Sequence, residues 1–255
     1  MISESSAQLE VLKTEIRNAS PLPPQETEEL IRKYFSSPFA ITSMLRSKYD
    51  FADLKVLDIG SAYGQHLFYW GRNSEGIEAQ QRAASFTTAL GFQTHCLNVE
   101  DDLSVLPPES FEAIHTNNLI EHLVSPHLFL VRCYQLLKED GILAIGHPVV
   151  PPALSKWLWQ AMGITGWLAV EHINFYTPAT AKLTLERAGF EVVEQVAPGF
   201  LRLHPRVAQT ALPISVSCYS ICRKRKRYSY PAKRLKEFDP SFFGEELSVF
   251  RNPQQ

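Results

Sequence analysis

The sequence has few cysteines and lacks a long apolar run. Its four cysteines (Cys96, Cys133, Cys218 and Cys222) include no Cys-x-x-Cys pair, and the chain has 255 residues. This excludes a disulfide framework and a zinc ribbon. No stretch approaches the ~18 apolar residues of a membrane helix, and the N-terminus lacks the basic start and apolar stretch of a secretory signal. These absences predict a cytoplasmic location and no membrane span.

Neither sign of charge dominates the chain. The 25 Lys plus Arg nearly balance the 27 Asp plus Glu, giving a net charge of -2, and 45% of the residues are hydrophobic. Disordered, collagen-like and disulfide-rich classes are excluded by this composition. The length allows one large domain, or one domain with an appendage.

The order of apolar patterns predicts the fold. Residues 1–25 are polar and rich in proline at their end, so we expect a loosely held arm, followed by one or two helices over 26–48. The predicted strands are Lys55–Ile59, Gly76–Glu78, Phe92–Leu97, Phe111–Thr116 and Gly141–Gly146. Helical patterns lie between them, at 65–70, 79–90 and 126–138. Such alternation is typical of β-α-β units, and predicts an open, doubly wound, Rossmann-like α/β sheet with helices on both faces.

The pattern changes towards the end of the sheet. Thr177-Pro178 predicts a helix start, and that helix should end at Ala188, before Gly189. The segments 190–196 and 214–222 then read as strands with no helix between them. Without a crossover helix they most simply pair as an antiparallel hairpin.

The first chemical signal is a strand that runs into a turn of small residues, VLDIGSAYG. Gly60 permits a sharp turn, Gly64 permits close approach of a ligand, and Asp58 lies two residues before the turn. Glu78 ends the next strand, where a carboxylate can accept hydrogen bonds from both ribose hydroxyls of an adenosine. The turn and this acid together favour a nucleoside-containing cofactor.

Over residues 51–224 the sequence resembles the small-molecule branch of the class I S-adenosylmethionine-dependent methyltransferases. The resemblance is carried by VLDIGSAYG, GIEAQ, CLNVEDDLSVLP, SFEAIHTNNLIEHL, LLKEDGILAIGHP and HINFYTP followed by LERAGFEVV. It implies a seven-stranded sheet whose last strand is antiparallel. It also implies the cofactor S-adenosylmethionine and the product S-adenosylhomocysteine.

The same resemblance implies roles for individual residues. The turn containing Gly60, Ala62 and Gly64 would run along the methionine portion, with Asp58 just before it, and Glu78 would bind the ribose. The remaining positions would be Asn98 and Val99 at the adenine, and Asn118 and Leu119 at the methionine and sulfonium. Ala62 stands where the family usually has glycine, and Asn98 where Asp is common. Alanine is small enough to keep the turn if its φ is negative.

Three histidines near the expected crevice are candidate general bases, because the pKa of histidine lies near neutrality. His147 follows the fifth strand, His172 follows a Trp-rich insertion, and His122 lies after the fourth strand. A hydrogen-bonded scaffold role is the alternative for each. Methyl transfer can also proceed by positioning alone.

Asn118, Glu121 and His122 are predicted to share one helix face. Similar quinone O-methyltransferases carry Glu-x-x-Glu-His here and can use a divalent metal. Because Asn118 replaces the first carboxylate, we predict no required metal. Packing and helix capping are the preferred interpretation of Glu121 and His122.

Three further segments carry open alternatives. The insertion 149–170 holds Trp157, Trp159 and Trp167, and fits a lid, a membrane-touching surface or ordinary packing. The basic cluster over 223–236 favours a solvated strand end over a phosphate or nucleic-acid site. The aromatic tail 228–255 is expected to dock on the domain or on a second copy.

The domains are predicted as an N-terminal arm with cap helices (1–48), a methyltransferase domain (49–227) and the tail (228–255). The predicted function is transfer of a methyl group to an O, N or C nucleophile of a small biosynthetic molecule, such as a natural product, a quinone-like compound or a sugar. A nucleic-acid or protein acceptor, and a noncatalytic cofactor-binding subunit, are the alternatives. The expected partner is a small-molecule acceptor and not nucleic acid, and a homodimer through the N-terminal helices or the tail is left open.

Overall fold

The computed structural model describes residues 2–36, 40–101, 103–200 and 205–225. The helices are α1 (Ile2–Ala19), α2 (Pro24–Tyr34), α3 (Ala40–Tyr49), α4 (Gln81–Ala89), α5 (Pro126–Leu136), α6 (Ala153–Ala161), α7 (Pro178–Arg187) and α8 (Pro205–Thr210). The strands are β1 (Val56–Ile59), β2 (Glu75–Ile77), β3 (Gln93–His95), β4 (Phe111–Asn117), β5 (Leu137–Pro148), β6 (Phe190–Val196) and β7 (Ser217–Lys224). The tail 228–255 lies outside the described residues.

The strands form one seven-stranded sheet in the order β3-β2-β1-β4-β5-β7-β6. Strands β1 to β5 pair in parallel, and β7 pairs antiparallel with both β5 and β6. The predicted doubly wound sheet with an antiparallel last strand is confirmed. This order brings the carboxyl ends of β1, β4 and β5 side by side, where open α/β sheets bind ligands.

Apolar layers cover both faces of the sheet. One buried cluster includes Leu57, Ile114 and Leu143 beneath α5 and α7, and another includes Val56, Ala144 and Ile221 beneath α3. Strands β1, β2 and β4 are buried along most of their length, and β1 is buried at all four positions. A parallel sheet covered in this way requires near-continuous apolar strands, as the sequence has.

The prediction of a loose N-terminal arm is wrong. Residues 2–19 form helix α1, whose Leu9, Leu12 and Ile16 are buried against α2 and α4. Their spacing places them on one helix face, which the polar residues between them obscured.

Two other predictions need correction. The segment 65–70 contains only a short 3-10 helix, Leu67–Tyr69, instead of a full α-helix. The connection between β6 and β7 contains α8, although the two strands pair antiparallel as predicted. A helix of this length after Pro205 leaves little periodic signal in the sequence.

The predicted start of α7 is confirmed in detail. Thr177 caps the helix by accepting a hydrogen bond from the backbone nitrogen of Thr180, with Pro178 in the first turn. None of the helices in the described part of the chain combines the length and apolar character needed to cross a membrane.

Candidate active site

The turn after β1 has an unusual backbone. The φ angles of Gly60, Ala62 and Gly64 are +72°, +46° and +83°. A Cβ at Gly64 would lie 2.6 Å from Cε2 of Phe68, so this position requires glycine. The condition of a negative φ at Ala62 is not met, because the turn places a left-handed residue there too.

Glu78 is fixed across from this turn. One carboxylate oxygen accepts a hydrogen bond from the backbone nitrogen of Ala62, and the other accepts one from Gln80, both at 2.8 Å. Each oxygen retains a lone pair for a further donor such as a ribose hydroxyl. The buried carboxylate therefore links the end of β2 to the glycine turn.

Three polar atoms at the same edge of the sheet are buried and have no hydrogen-bond partner within the described part of the chain. They are Oγ of Ser61, Oε1 of Gln65 and Oγ1 of Thr116. Buried polar atoms in native proteins are nearly always hydrogen-bonded. Together with the acceptor capacity of Glu78, these atoms fit the polar groups of an amino-acid-bearing nucleoside cofactor.

Asp58 lies within the sheet and is 2% exposed. Its Oδ1 lies 2.6 Å from Nδ1 of His115 on the neighbouring strand. His115 was not among the candidate residues, since a single histidine in the apolar pattern FEAIHT gives no signal of its partner.

The proposed adenine residues follow β3. The Asn98 side chain is exposed, and its Oδ1 accepts a hydrogen bond from the backbone nitrogen of Glu100 at 3.1 Å. Val99 is buried, and its carbonyl oxygen accepts a hydrogen bond from Arg132. Asn98 therefore already serves as a loop cap, and its amide group remains exposed.

Asn118 and Leu119 follow β4 and reach the glycine turn. Asn118 has a φ of +50° and its backbone nitrogen donates to the carbonyl oxygen of Gly146. The Leu119 side chain lies 3.6 Å from the position that a Cβ of Gly60 would occupy. The predicted shared helix face is wrong, because Asn118 precedes a 3-10 helix that spans only Ile120–His122.

Glu121, His122 and His172 form a polar cluster. One ligand atom from each lies within 4.8 Å of the others, and the two imidazole rings are 4.8 Å apart. The Glu121 side chain is buried, and neither carboxylate oxygen has a hydrogen-bond partner among the residues that the structure describes. Among the described residues no helix N-terminus donates to this carboxylate, so the capping part of the preferred interpretation is not supported, whereas the burial of Glu121 agrees with the packing part.

Burial raises the pKa of Glu121 to about 7, while the charge of His122 opposes the rise. A carboxyl group with such a pKa can exchange a proton near neutrality. The same three side chains could hold a divalent cation, since two imidazoles and a carboxylate suit several metals. Our expectation that no metal is required stays a prediction.

The segment that directly follows the insertion is hydrogen-bonded to the segment after β4. Backbone nitrogens of Ile173 and Asn174 both donate to the carbonyl oxygen of Glu121. The Asn174 side chain donates to the carbonyl oxygens of Ile120 and Leu123, at 3.3 and 2.6 Å. These bonds bring His172 next to His122, a proximity that sequence spacing could not predict.

His147 does not join this cluster among the described contacts. It is 2% exposed, and its ring packs edge-on against Tyr176. Burial lowers the pKa of His147 to about 4. His147 is therefore a poor acceptor of a proton near neutral pH.

The Trp-rich insertion presents an apolar surface. Trp157 is 70% exposed and Val170 is 99% exposed, whereas Trp167 is buried. Trp159 anchors the segment through a 2.6 Å hydrogen bond from Nε1 to the carbonyl oxygen of Ile214.

The described part of the basic cluster makes local contacts. Lys224 donates to the carbonyl oxygen of Leu137 and pairs with Glu109. Arg225 pairs with Asp140 and Glu191. These pairs support the strand-end interpretation for the described residues.

A family model described as a methyltransferase domain matches residues 30–195, which is more than half of the chain. The chain belongs to this methyltransferase family. The predictions of the family and of an S-adenosylmethionine-dependent methyltransferase are confirmed at this level.

Individual relatives agree with the family. A ubiquinone biosynthesis O-methyltransferase of Glaesserella parasuis is 33% identical over 105 residues, which cover 36% of this chain and 44% of that protein. One of the same name from Dinoroseobacter shibae is 25% identical over 59% of this chain and 65% of its own length. The methyltransferase chain thus spans less than two thirds of either relative.

Solved structures support the fold. A SAM-dependent methyltransferase from Archaeoglobus fulgidus superposes with a TM-score of 0.54 at 19% identity, covering 77% of this chain and 98% of that one. At this identity the likeness establishes the architecture of the methyltransferase domain and no acceptor.

Proposed function

We propose that this protein transfers the methyl group of S-adenosylmethionine to a hydroxyl group of a small, quinone-like aromatic molecule. The observation that carries the proposal is the Glu78 carboxylate, held by Ala62 and Gln80 across the glycine turn of a methyltransferase domain. The names of the curated relatives support oxygen as the methylated atom and a quinone precursor as the acceptor.

On the cofactor side, Glu78 would bind the ribose and the turn Gly60–Gly64 would follow the methionine portion. Ser61, Gln65 and Thr116 supply polar atoms that still need partners. Asn118 and Leu119 would line the methionine end, and Asn98 and Val99 the adenine. When bound, S-adenosylmethionine supplies an electrophilic methyl group.

On the acceptor side, the neighbouring side chains of Glu121, His122 and His172 would supply polar groups for the acceptor. An aromatic hydroxyl placed there would lie beside groups that can take its proton. The insertion would exclude water and orient the acceptor, so that attack at the methyl group becomes effectively unimolecular. His147 would line the region as a neutral, buried ring.

Calorimetric titration with S-adenosylhomocysteine tests the cofactor assignment. We expect binding to the wild type, at least tenfold weaker binding to Glu78→Ala because a charge-assisted hydrogen bond is lost, and unchanged binding to the exposed control Glu139→Ala. Absence of binding to the wild type, or equal binding to Glu78→Ala, would refute it.

The acceptor is tested separately with 3,4-dihydroxybenzoate and a prenylated catechol as probes. Mass spectrometry should detect one added methyl group, on oxygen, in a product whose formation needs Glu78. Cofactor binding with no turnover of either catechol would refute the quinone-like acceptor, and would favour the noncatalytic alternative if other acceptors also failed.

A further inference from the structure

Three buried polar side chains form a hydrogen-bonded chain across the centre of the sheet. Asp58 on β1 lies directly opposite His115 on β4 in the strand register, with 2.6 Å between Oδ1 and Nδ1. On the other side of the ring, Nε2 of His115 lies 3.1 Å from the hydroxyl oxygen of Tyr219 on β7. None of the three is more than 3% exposed.

The partners determine where the hydrogens lie. A carboxylate accepts hydrogen bonds and donates none, so Nδ1 of His115 carries the hydrogen that faces Asp58. Burial, followed by the charges of Asp58 and Glu121, raises the pKa of Tyr219 well above its usual range. The hydroxyl therefore keeps its hydrogen and donates it to Nε2, which orients the ring.

The surroundings hold His115 in one place. Its ring lies 5.1 Å from the ring of Trp70 and 4.6 Å from that of His66. Burial lowers the pKa of His66 well below its usual range, so this neighbour is neutral. The Tyr219 ring also fills the space at Gly146, where a Cβ would collide with it.

Each member of the chain lies next to a residue of the candidate site or its supporting backbone, either in the sequence or in space. Asp58 precedes Gly60 by two positions, and His115 precedes Thr116, whose hydroxyl is buried without a partner. Tyr219 packs against Gly146, whose carbonyl oxygen accepts the hydrogen bond from Asn118. Movement of any member would shift the strand ends that surround the cofactor.

We propose that His115 and Tyr219 are positioning residues, which set cofactor affinity by fixing Asp58 and the strand ends without touching the cofactor. This rests on the proposed function. Removing His115 leaves a buried carboxylate without its donor, and such a group must become hydrated or move. Either response disturbs the glycine turn two residues away.

The affinity for S-adenosylhomocysteine, measured by calorimetry, is the test. His115→Leu should weaken binding by roughly tenfold or more, and Tyr219→Phe by roughly threefold, because the first loses a bond to a charged group and the second a neutral bond. His115→Asn keeps a donor for Asp58 and should match Tyr219→Phe. The double variant His115→Asn with Tyr219→Phe should bind no more weakly than either single variant, since both remove the same link.

Tyr49→Phe is the matched control. It removes a hydroxyl that donates to Glu194 and belongs to the same buried cluster, so it should lower the free energy of unfolding while leaving cofactor affinity unchanged. The proposal is overturned if Tyr219→Phe and His115→Asn lose stability as Tyr49→Phe does but bind S-adenosylhomocysteine like the wild type. These two variants keep the test decisive if His115→Leu does not fold, whereas a wild type that fails to bind refutes the proposed function itself.

Discussion

The side-chain nitrogen of Asn174 lies 2.6 Å from the carbonyl oxygen of Leu123, and this hydrogen bond connects the segment that follows the Trp-rich insertion to the segment after β4. The same nitrogen lies 3.3 Å from the carbonyl oxygen of Ile120. This amide adds to the backbone hydrogen bonds from Ile173 and Asn174 to Glu121, and together they hold the segment that carries His172 against the segment that carries Glu121 and His122.

Asn174→Ala should therefore impair acceptor binding. The loss of these side-chain hydrogen bonds loosens the segment that carries His172, so we expect KM for the catechol acceptor to rise by about fivefold or more, with little change in affinity for S-adenosylhomocysteine. Asn18→Ala, at an exposed position of α1, is the control and should leave both quantities unchanged. Equal KM values for wild type and Asn174→Ala would show that the amide does not organise the acceptor side.

Ala62→Gly should stabilise the protein. Ala62 has a φ of +46°, a conformation that costs an L-residue about 1 kcal/mol relative to glycine. The free energy of unfolding in urea should rise by up to about 1 kcal/mol, although glycine also gains entropy when unfolded. Ala89→Gly, at an exposed position in α4, should change stability in the opposite direction. A loss of stability in Ala62→Gly would mean that the methyl group contributes packing that outweighs the backbone strain.

Glu121 should make stability depend on pH. Its pKa is raised from 4.5 to about 7 by burial. Below about pH 4.5 the Glu121 carboxyl is protonated in both the folded and the unfolded states. As the pH rises, the carboxyl ionises first in the unfolded chain, so the stability that the protonated group contributes is lost as pH rises through about 7. Glu121→Gln should remove this loss, so that its melting temperature exceeds that of wild type at pH 8 more than at pH 5. Glu139→Gln, which alters an exposed carboxylate, should show no such difference; the same pH dependence in Glu121→Gln and wild type would contradict the prediction.

Chelation tests whether the cluster of Glu121, His122 and His172 acts without a metal. Asn118 offers no carboxylate, and the raised pKa of Glu121 means that a cation would have to compete with a proton there. We expect dialysis against EDTA to leave methyl transfer to a catechol unchanged. Loss of turnover that Zn²⁺ or Mn²⁺ restores in wild type, but not in His172→Ala, would establish a required metal.

Local patterns in the sequence were sufficient to predict most strands of the sheet and the cofactor side of the site, with its glycine turn and Glu78. The predicted strand 190–196 coincides with β6, while 214–222 is displaced from β7 by a few residues. The glycine turn and Glu78 could also be predicted from neighbouring residues alone, because a strand followed by a tight turn is encoded within a short segment. Helix α1 was not predicted because its few apolar residues are a weak local signal. They form part of a buried cluster only through contact with the distant helices α2 and α4.

The sequence by itself determined the methyltransferase family, the succession of the strands along the chain, and the glycine turn with its carboxylate. Only the tertiary structure decided which polar side chains meet. His172 lies beside Glu121 although α5, β5 and the insertion separate them in the sequence. Tyr219 contacts His115 across a separation of 104 residues. Such contacts depend on strand register and on packing between distant segments, which no local periodicity records. Packing of this kind also determines which side chains are buried. Burial lowers the pKa of His147 and raises that of Glu121, because it disfavours the charged form of each group.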